Sequence, residues 1–251
     1  MSRLGSATAF TAEAALWVAG AALIAGAVGM HWRVDVPAIN LLPAASQQPP
    51  SPAATTQPVL RLQAFLAKPT LQFKAKLDQT ATISGPGIIA TVTSSGTVAY
   101  RSGDASSSLT TTALGVSTTE DQVMLGSVTY TRDNGAKWTK RNRVAGDTGG
   151  SAEMLSPTQP LIDKGLETKN GVQLHRLEAA DTTDLDKALA GGTRTGYQVS
   201  LVFWTTDNGT TAAIEVSGSY QDIVSETPVT VTIDQNWTIT ATTGVTITAP
   251  I

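Results

Sequence analysis

The order of three segments of different composition constrains this chain more than any single residue does. Residues 14–30 run from Ala14 to Met30 without a charged side chain. A proline-rich segment follows, with five of the chain's 12 prolines between Pro43 and Pro58. Residues 59–251 then alternate apolar and polar side chains between Asn-Gly turns, which is typical of antiparallel β-strands. This order predicts one β-rich domain carried on a stalk beside a membrane.

The apolar stretch has nearly the length of a bilayer span. With His31 and Trp32 it approaches the roughly 20 residues that a transmembrane helix needs, and Trp17 and Trp32 lie near its ends, where aromatic rings favour the interface. We interpret residues 14–32 as a transmembrane signal anchor after a short cytoplasmic N-terminus (1–13). Two alternatives stay open: a cleaved signal peptide, which would give a secreted protein, and a buried helix of a soluble protein.

The segment between anchor and domain is interpreted as a stalk. Residues 33–58 form a proline-rich linker, because proline lacks the backbone donor and favours extended polyproline conformations. We therefore expect a single-pass protein of the cell membrane with residues 59–251 on the extracytoplasmic side.

Composition excludes several functions. The formal net charge of −3 gives no basic surface for nucleic acid. The absence of cysteine excludes thiol catalysis, disulfides and lipidation through cysteine. No phosphate-binding loop, His-Glu-x-x-His sequence or EF-hand loop occurs, and His175, in the strand Val172–Leu177, is interpreted as a solvated strand histidine. The sequence predicts no catalytic residue, metal or cofactor, and thus no enzyme.

Local patterns predict the elements of the domain. Val59–Lys68 is expected to be a short amphipathic helix that stops at Pro69. A second helix is expected from Ser156-Pro157 to about Leu166 and a third over Leu185–Ala190. The remainder predicts ten or eleven antiparallel strands, with a bend at Ser95-Gly96 and hairpin turns at Asn134-Gly135 and Asn208-Gly209. Asn170-Gly171 is expected to begin the strand Val172–Leu177.

The sum of these elements is an α+β fold. We expect one large curved antiparallel sheet with short helices against one face. A helix precedes a long alternating strand, and Val128 to Trp138 follows with its Asp-Asn-Gly turn. Two helices come next, then Leu201–Trp204 with a second such turn and the ending Val245 to Pro250. This order of elements resembles the bacterial lipoprotein-carrier fold of the LolA/LolB-like group. It looks most like the LppX/LprG-type lipoproteins.

The resemblance implies a half-barrel sheet with helices on its concave side and an apolar cavity for acyl chains between them. Members of that family usually carry a lipidated cysteine after the signal peptide, whereas this chain has none and a transmembrane helix would replace it. The implied function is a membrane-tethered lipid-binding or lipid-transfer protein for an amphipathic ligand. The alternative is a non-catalytic structural or sensing ectodomain of the cell envelope, whose protein partner is unknown. Nine apolar residues are the predicted ligand contacts: Leu71, Phe73, Leu77, Val199, Leu201, Phe203, Ile214, Val231 and Ile233.

Overall fold

The computed structural model describes residues 56–143, 160–180, 195–224 and 227–250. The predicted anchor, most of the linker and the predicted helix at residues 185–190 lie outside these ranges. Among the described residues, no helix is long and apolar enough to cross a membrane.

An 11-stranded antiparallel sheet dominates the described part of the chain, accompanied there by one short helix. The spatial order is β6-β5-β4-β3-β2-β1-β11-β10-β9-β8-β7. The prediction of one large curved antiparallel sheet is confirmed. The elements are α1 (Gln57–Leu66), β1 (Gln72–Gly85), β2 (Ile88–Arg101), β3 (Asp104–Ala113), β4 (Val116–Leu125), β5 (Val128–Asp133), β6 (Thr139–Asn142), β7 (Leu161–Lys169), β8 (Val172–Ala179), β9 (Thr195–Thr205), β10 (Thr211–Val224) and β11 (Thr227–Ala241).

The first and last strands meet in the middle of the sheet. β1 pairs with β2 on one side and with β11 on the other, so the chain forms two meanders that join along this pair. The pairing β1–β11 joins residues 146 to 167 positions apart, such as Leu77 and Trp237. This junction places the longest strands at the centre of the sheet.

Helix α1 packs on one face of the sheet, which we call the inner face. Its buried residues Val59, Leu62 and Leu66 join a cluster with Phe73 and Leu77 of β1. Pro58 lies in the first turn of the helix, where its missing N–H would have no partner in any case. The expected helix is therefore present, shifted by two residues towards the N-terminus.

Two hairpin turns have the residues that primed turns favour, and a third does not. Asn134 and Asn170 adopt positive φ angles of 48° and 52° before Gly135 and Gly171, as two-residue primed turns require. Leu114 has the same backbone conformation, with a φ angle of 50°, and its side chain is 64% exposed. A bulky residue rarely adopts this conformation, so the turn between β3 and β4 carries backbone strain.

The helix predicted to end near Leu166 is wrong over residues 161–166. These residues belong to β7, whose exposure alternates with a period of two from Leu161 to Leu166. β7 pairs with β8 across the Asn170-Gly171 turn, with an irregularity between Asp163 and Leu166. The Ser156-Pro157 signal for a helix start lies outside the described residues.

The sheet ends in one long strand and corrects one further expectation. Residues 227–241 form β11 without a break, and residues 242–250 leave the sheet. The expected bend at Ser95-Gly96 is not a break, because β2 continues through it. Gly96 is needed for another reason: a Cβ atom there would lie 1.9 Å from the carbonyl oxygen of Ser108 on β3.

Candidate ligand-binding site

The inner face of the central strands is divided into three layers. Leu77 of β1 lies between Gly96 and Trp237, and Ala81 lies between Val92 and Ile233. The side chains of both layers belong to apolar clusters. Because side chains on one face of a strand recur every second residue, the layer between them is centred on residue 79.

This middle layer is polar. Gln79 pairs with Ser94 on β2 and with Gln235 on β11, and Gln235 pairs with Val216 on β10. The three polar residues are at most 5% exposed. A polar layer between two apolar clusters is costly unless its groups are hydrogen-bonded or meet a polar ligand.

A cavity of about 640 Å³ lies behind the polar layer, on the opposite face of the sheet. Its lining consists of three-residue runs on four neighbouring strands, 78–80, 93–95, 215–217 and 234–236. Gln79, Ser94, Val216 and Gln235 are the central residues of these runs. Adjacent residues of a strand face opposite sides, so the other eight side chains face away from the polar layer, and Glu215 among them accepts a hydrogen bond from Trp204. The cavity therefore lies on the outer face, and its volume lies within the roughly 300–1,000 Å³ of small-molecule sites.

The glutamines form a hydrogen-bonded ladder within the polar layer. The Trp237 Nε1–H donates to Gln235 Oε1 at 3.2 Å, and Gln235 Nε2 donates to Gln79 Oε1 at 2.8 Å. The Ser94 hydroxyl shares a hydrogen bond of 2.9 Å with Thr111 Oγ1. These contacts fix the polar side chains before any ligand arrives, as a preorganised site requires.

The structure distributes the nine predicted ligand contacts over the packed clusters. Five belong to the cluster around α1, where Leu201 and Phe203 are each 1% exposed, and Val199 packs against that cluster. Val231 and Ile233 belong to the second cluster, and Leu71 lies half-buried just before β1. None of the nine is among the residues lining the 640 Å³ cavity. Their contact with a ligand stays a prediction.

Sequence reasoning missed the residues of the polar layer. Gln79 and Gln235 look like ordinary solvent-facing residues in a strand pattern. A signal existed, because both occupy inward positions of otherwise apolar alternations, Leu77 to Ala81 and Ile233 to Trp237. Only the β1–β11 register shows that the two side chains meet.

His175 is more engaged than the sequence suggested. Its Nδ1 lies 3.3 Å from Asp163 Oδ1, and its Nε2 lies 3.0 Å from Asp207 Oδ1. Thr56 and the Gly165 amide also donate to the Asp163 carboxylate, each at 2.8 Å. Burial opposes ionisation, but the hydrogen bonds outweigh it and lower the pKa of Asp163. This cluster joins the start of α1 to β7, β8 and the turn before β10.

The second cavity is smaller and lies beside the C-terminal segment. It measures about 390 Å³, and Trp138, Asp121 and residues 243–246 are among its lining. Arg132 stacks on Trp138 and donates to Asp121 at 2.7 Å. The Asp121 carboxylate in this lining is thus paired with Arg132.

No protein-family model matches the sequence, and comparison with curated proteins finds no match. Three solved structures share a distant likeness. A DUF1329 family protein from Desulfovibrio piger is 11% identical, covers 76% of this chain and 96% of its own, and gives a TM-score of 0.28.

The other two are equally distant. The ywiB protein from Bacillus subtilis is 9% identical over 71% of this chain and 99% of its own, with a TM-score of 0.26. A domain described as an outer membrane lipoprotein-sorting protein, from Vibrio parahaemolyticus, is 12% identical over 75% of this chain and 92% of its own, with a TM-score of 0.24. Scores this low carry no argument about fold or function. The function must be argued from the site itself.

Proposed function

We propose that this protein binds an amphipathic lipid on the inner face of the sheet and holds it beside a membrane. One observation carries the proposal: two apolar clusters on the inner face are separated by a hydrogen-bonded polar layer. Apolar side chains favour burial of hydrocarbon, and a few fixed polar groups orient a ligand. The proposal assigns no catalytic step to the chain.

The membrane tether is part of the proposal. The uncharged segment 14–30 and the proline-rich linker 33–58 support it. At about 3.1 Å per residue in an extended polyproline conformation, a linker of this kind holds a domain tens of ångströms from its anchor. A tethered lipid-binding domain holds a lipid near the membrane or transfers it there, and it does not carry the lipid away by diffusion.

Lipid uptake tests the binding function. The full chain, purified from membranes, is extracted with organic solvent for mass spectrometry and then titrated with a fluorescent acyl lipid. Ser94→Trp fills the polar layer, and we expect it to abolish uptake. Thr91→Trp, at an exposed position of the same strand, is the matched control and should take up lipid normally. Equal uptake by both folded variants, or no uptake by the wild type, would contradict the proposal.

Cysteine labelling tests the tether. Because the chain has no cysteine, a single one can be introduced without background. Ile89→Cys lies at a position that is 83% exposed, and Ser6→Cys lies in the predicted cytoplasmic segment. In intact cells we expect a membrane-impermeant maleimide to label the first variant only. Labelling of Ser6→Cys alone would reverse the proposed orientation.

A structural or sensing ectodomain remains the second candidate. The tight packing of the predicted contact residues favours it, because Leu62, Leu201 and Phe203 are at most 1% exposed. That part of the inner face is filled by the helix and leaves no room for an acyl chain. Failure of the wild type to take up any lipid would favour this candidate.

A further inference from the structure

The C-terminal segment after β11 lies over the outer face of the sheet. The Val245 amide donates to Gln72 Oε1 at 3.0 Å, and the Val245 carbonyl oxygen accepts from Arg101 Nη1 at 3.3 Å. Gln72 precedes the inner-face residue Phe73 and is the register partner of Arg101, so both side chains face outwards. These contacts fix the segment above β1 and β2, where it forms a wall.

The second cavity, of about 390 Å³, lies beside this wall. Val98 of β2 belongs to an inner-face cluster, so the next residue, Ala99, faces outwards together with its partner Ser106 on β3 and with Val123 on β4. These small side chains form the floor of the cavity. The C-terminal segment borders it towards β1, and Trp138 borders it towards β5. The space exists because a low floor lies between two higher walls.

Trp138 is held in position by Arg132. The guanidinium of Arg132 lies over the indole at 4.8 Å from the ring centroid, and its Nε donates to Asp121 at 2.7 Å. A hydrogen bond from Ser108 and the contact with Arg132 lower the pKa of Asp121, so this carboxylate is ionised when it holds the arginine. Trp138 lines the cavity and Arg132 does not. The indole therefore borders the cavity with surface that the guanidinium leaves uncovered, as a preorganised aromatic platform.

The rest of the lining is rich in hydroxyl groups. Hydroxyl side chains of the outer face and of the C-terminal segment line the cavity: Thr97, Ser106, Ser108, Thr243 and Thr246. A hydroxyl can donate and accept hydrogen bonds. Of the 16 lining residues two are charged, Lys74 and Asp121, and Asp121 is paired with Arg132. The lining thus suits a ligand that has many small polar groups and an apolar surface.

Two other ligand classes fit poorly. A hydrocarbon chain would cover the hydroxyl groups of the floor without giving them a hydrogen-bond partner, which is unfavourable. An extended peptide recognised through its backbone needs a free strand edge, whereas β2, β3 and β4 each pair with a neighbour on both sides. A sugar ring meets both requirements of the lining, because its hydroxyl groups are polar and its C–H bonds are apolar.

We propose that this cavity binds a glucose-configured pyranose of a β-linked glycan, with the ring stacked on Trp138. In a pyranose whose hydroxyl groups are equatorial, the axial C–H bonds form an apolar face that packs on the electron-rich face of the indole. The ring hydroxyls then bond to the serine and threonine hydroxyls of the floor. The volume of the cavity lies within the range of small-molecule sites. The site is on the opposite face from the proposed lipid site and does not depend on it.

Calorimetric titration of the full chain tests the ligand class. The protein is held in amphipol, because detergents with sugar headgroups would compete, and is titrated with cellobiose and with N,N′-diacetylchitobiose. Sorbitol, which has hydroxyl groups but no ring face, is the control ligand. We expect at least one disaccharide to bind with a Kd below about 1 mM and sorbitol not to bind in that range. Failure of both disaccharides, or equal binding of sorbitol, would overturn the proposal. Lipid uptake is measured separately on the same preparation.

Two substitutions locate the bound sugar. Trp138→Ala removes the platform and Ser106→Trp fills the floor, and we expect each to weaken disaccharide binding at least about tenfold. Thr110→Trp makes a comparable change at an exposed position of β3 outside the lining and should bind as the wild type does. Wild-type affinity in either folded cavity variant would overturn the site. If one of the two variants does not fold, the other decides.

Discussion

Replacing Leu201 by alanine separates a packed core from a ligand surface. Leu201 lies on β9, is 1% exposed and pairs with Val216 of β10 inside the cluster that α1 covers. Truncation removes the burial of the side chain and leaves a hole that its neighbours can fill only partly. Buried leucine-to-alanine changes cost about 2–5 kcal/mol. The packing around Leu201 places this change in the upper half of that range.

A matched substitution provides the control. Leu166→Ala on β7 makes the same chemical change at a position that is 57% exposed, so its free energy of unfolding should change by less than about 0.5 kcal/mol. Chemical unfolding followed by circular dichroism measures both variants. The slope with denaturant should stay constant if the native fold is retained.

Two outcomes would refute this reasoning. Equal stability of the Leu201→Ala and Leu166→Ala proteins would show that the space beside Leu201 is not closely packed. Loss of lipid uptake in a Leu201→Ala protein of wild-type stability would instead restore Leu201 as a ligand contact. A stability loss with lipid uptake intact is the result that the structure predicts.

Three further predictions concern the sheet and its edges. Gly96→Ala should destabilise the fold by about 3 kcal/mol or more, measured by thermal unfolding, because the new methyl group would overlap the backbone of β3; a loss below about 1 kcal/mol would contradict this. Leu114→Asn should stabilise it by about 0.5–1 kcal/mol, because asparagine tolerates the positive φ better; unchanged stability in denaturant would count against strain. Asp163→Asn should lower stability at pH 7, and the difference from the wild type should shrink below about pH 4. The sign follows from the lowered pKa of Asp163, because stability linked to a depressed pKa is present above the unfolded-state pKa and is lost on acidification; a difference that is independent of pH would refute it.

The strand predictions succeeded and the helix prediction at β7 failed for the same reason: the signals in the sequence are local. Alternation and primed-turn residues are local signals, and the turns at Asn134 and Asn170 form where Asn-Gly pairs occur. Residues 161–166 carry competing signals, since a Ser-Pro pair upstream favours a helix start and the alternation favours a strand. Pairing with β8 decides between them, and no local pattern contains that information.

The same error concealed the His175 cluster. A helix over residues 161–166 would have separated Asp163 from the strand that carries His175. As part of β7, Asp163 instead lies opposite Leu177 on β8 and within 3.3 Å of the imidazole. Predicting the wrong secondary structure for a segment therefore also hides the tertiary contacts that its residues make.

The sequence by itself determined the strand-rich character of this protein, most of its turns, the short helix before β1 and the order of anchor-like segment, linker and domain. These features depend on side-chain period, turn chemistry and composition, which are local. The tertiary structure alone decided where the polar layer lies. Gln79 and Gln235 are 156 positions apart, and they meet because β1 pairs with β11 in one register. A shift of that register by one residue would turn one of the two glutamines away from the inner face. The candidate site is thus a property of strand pairing rather than of any motif.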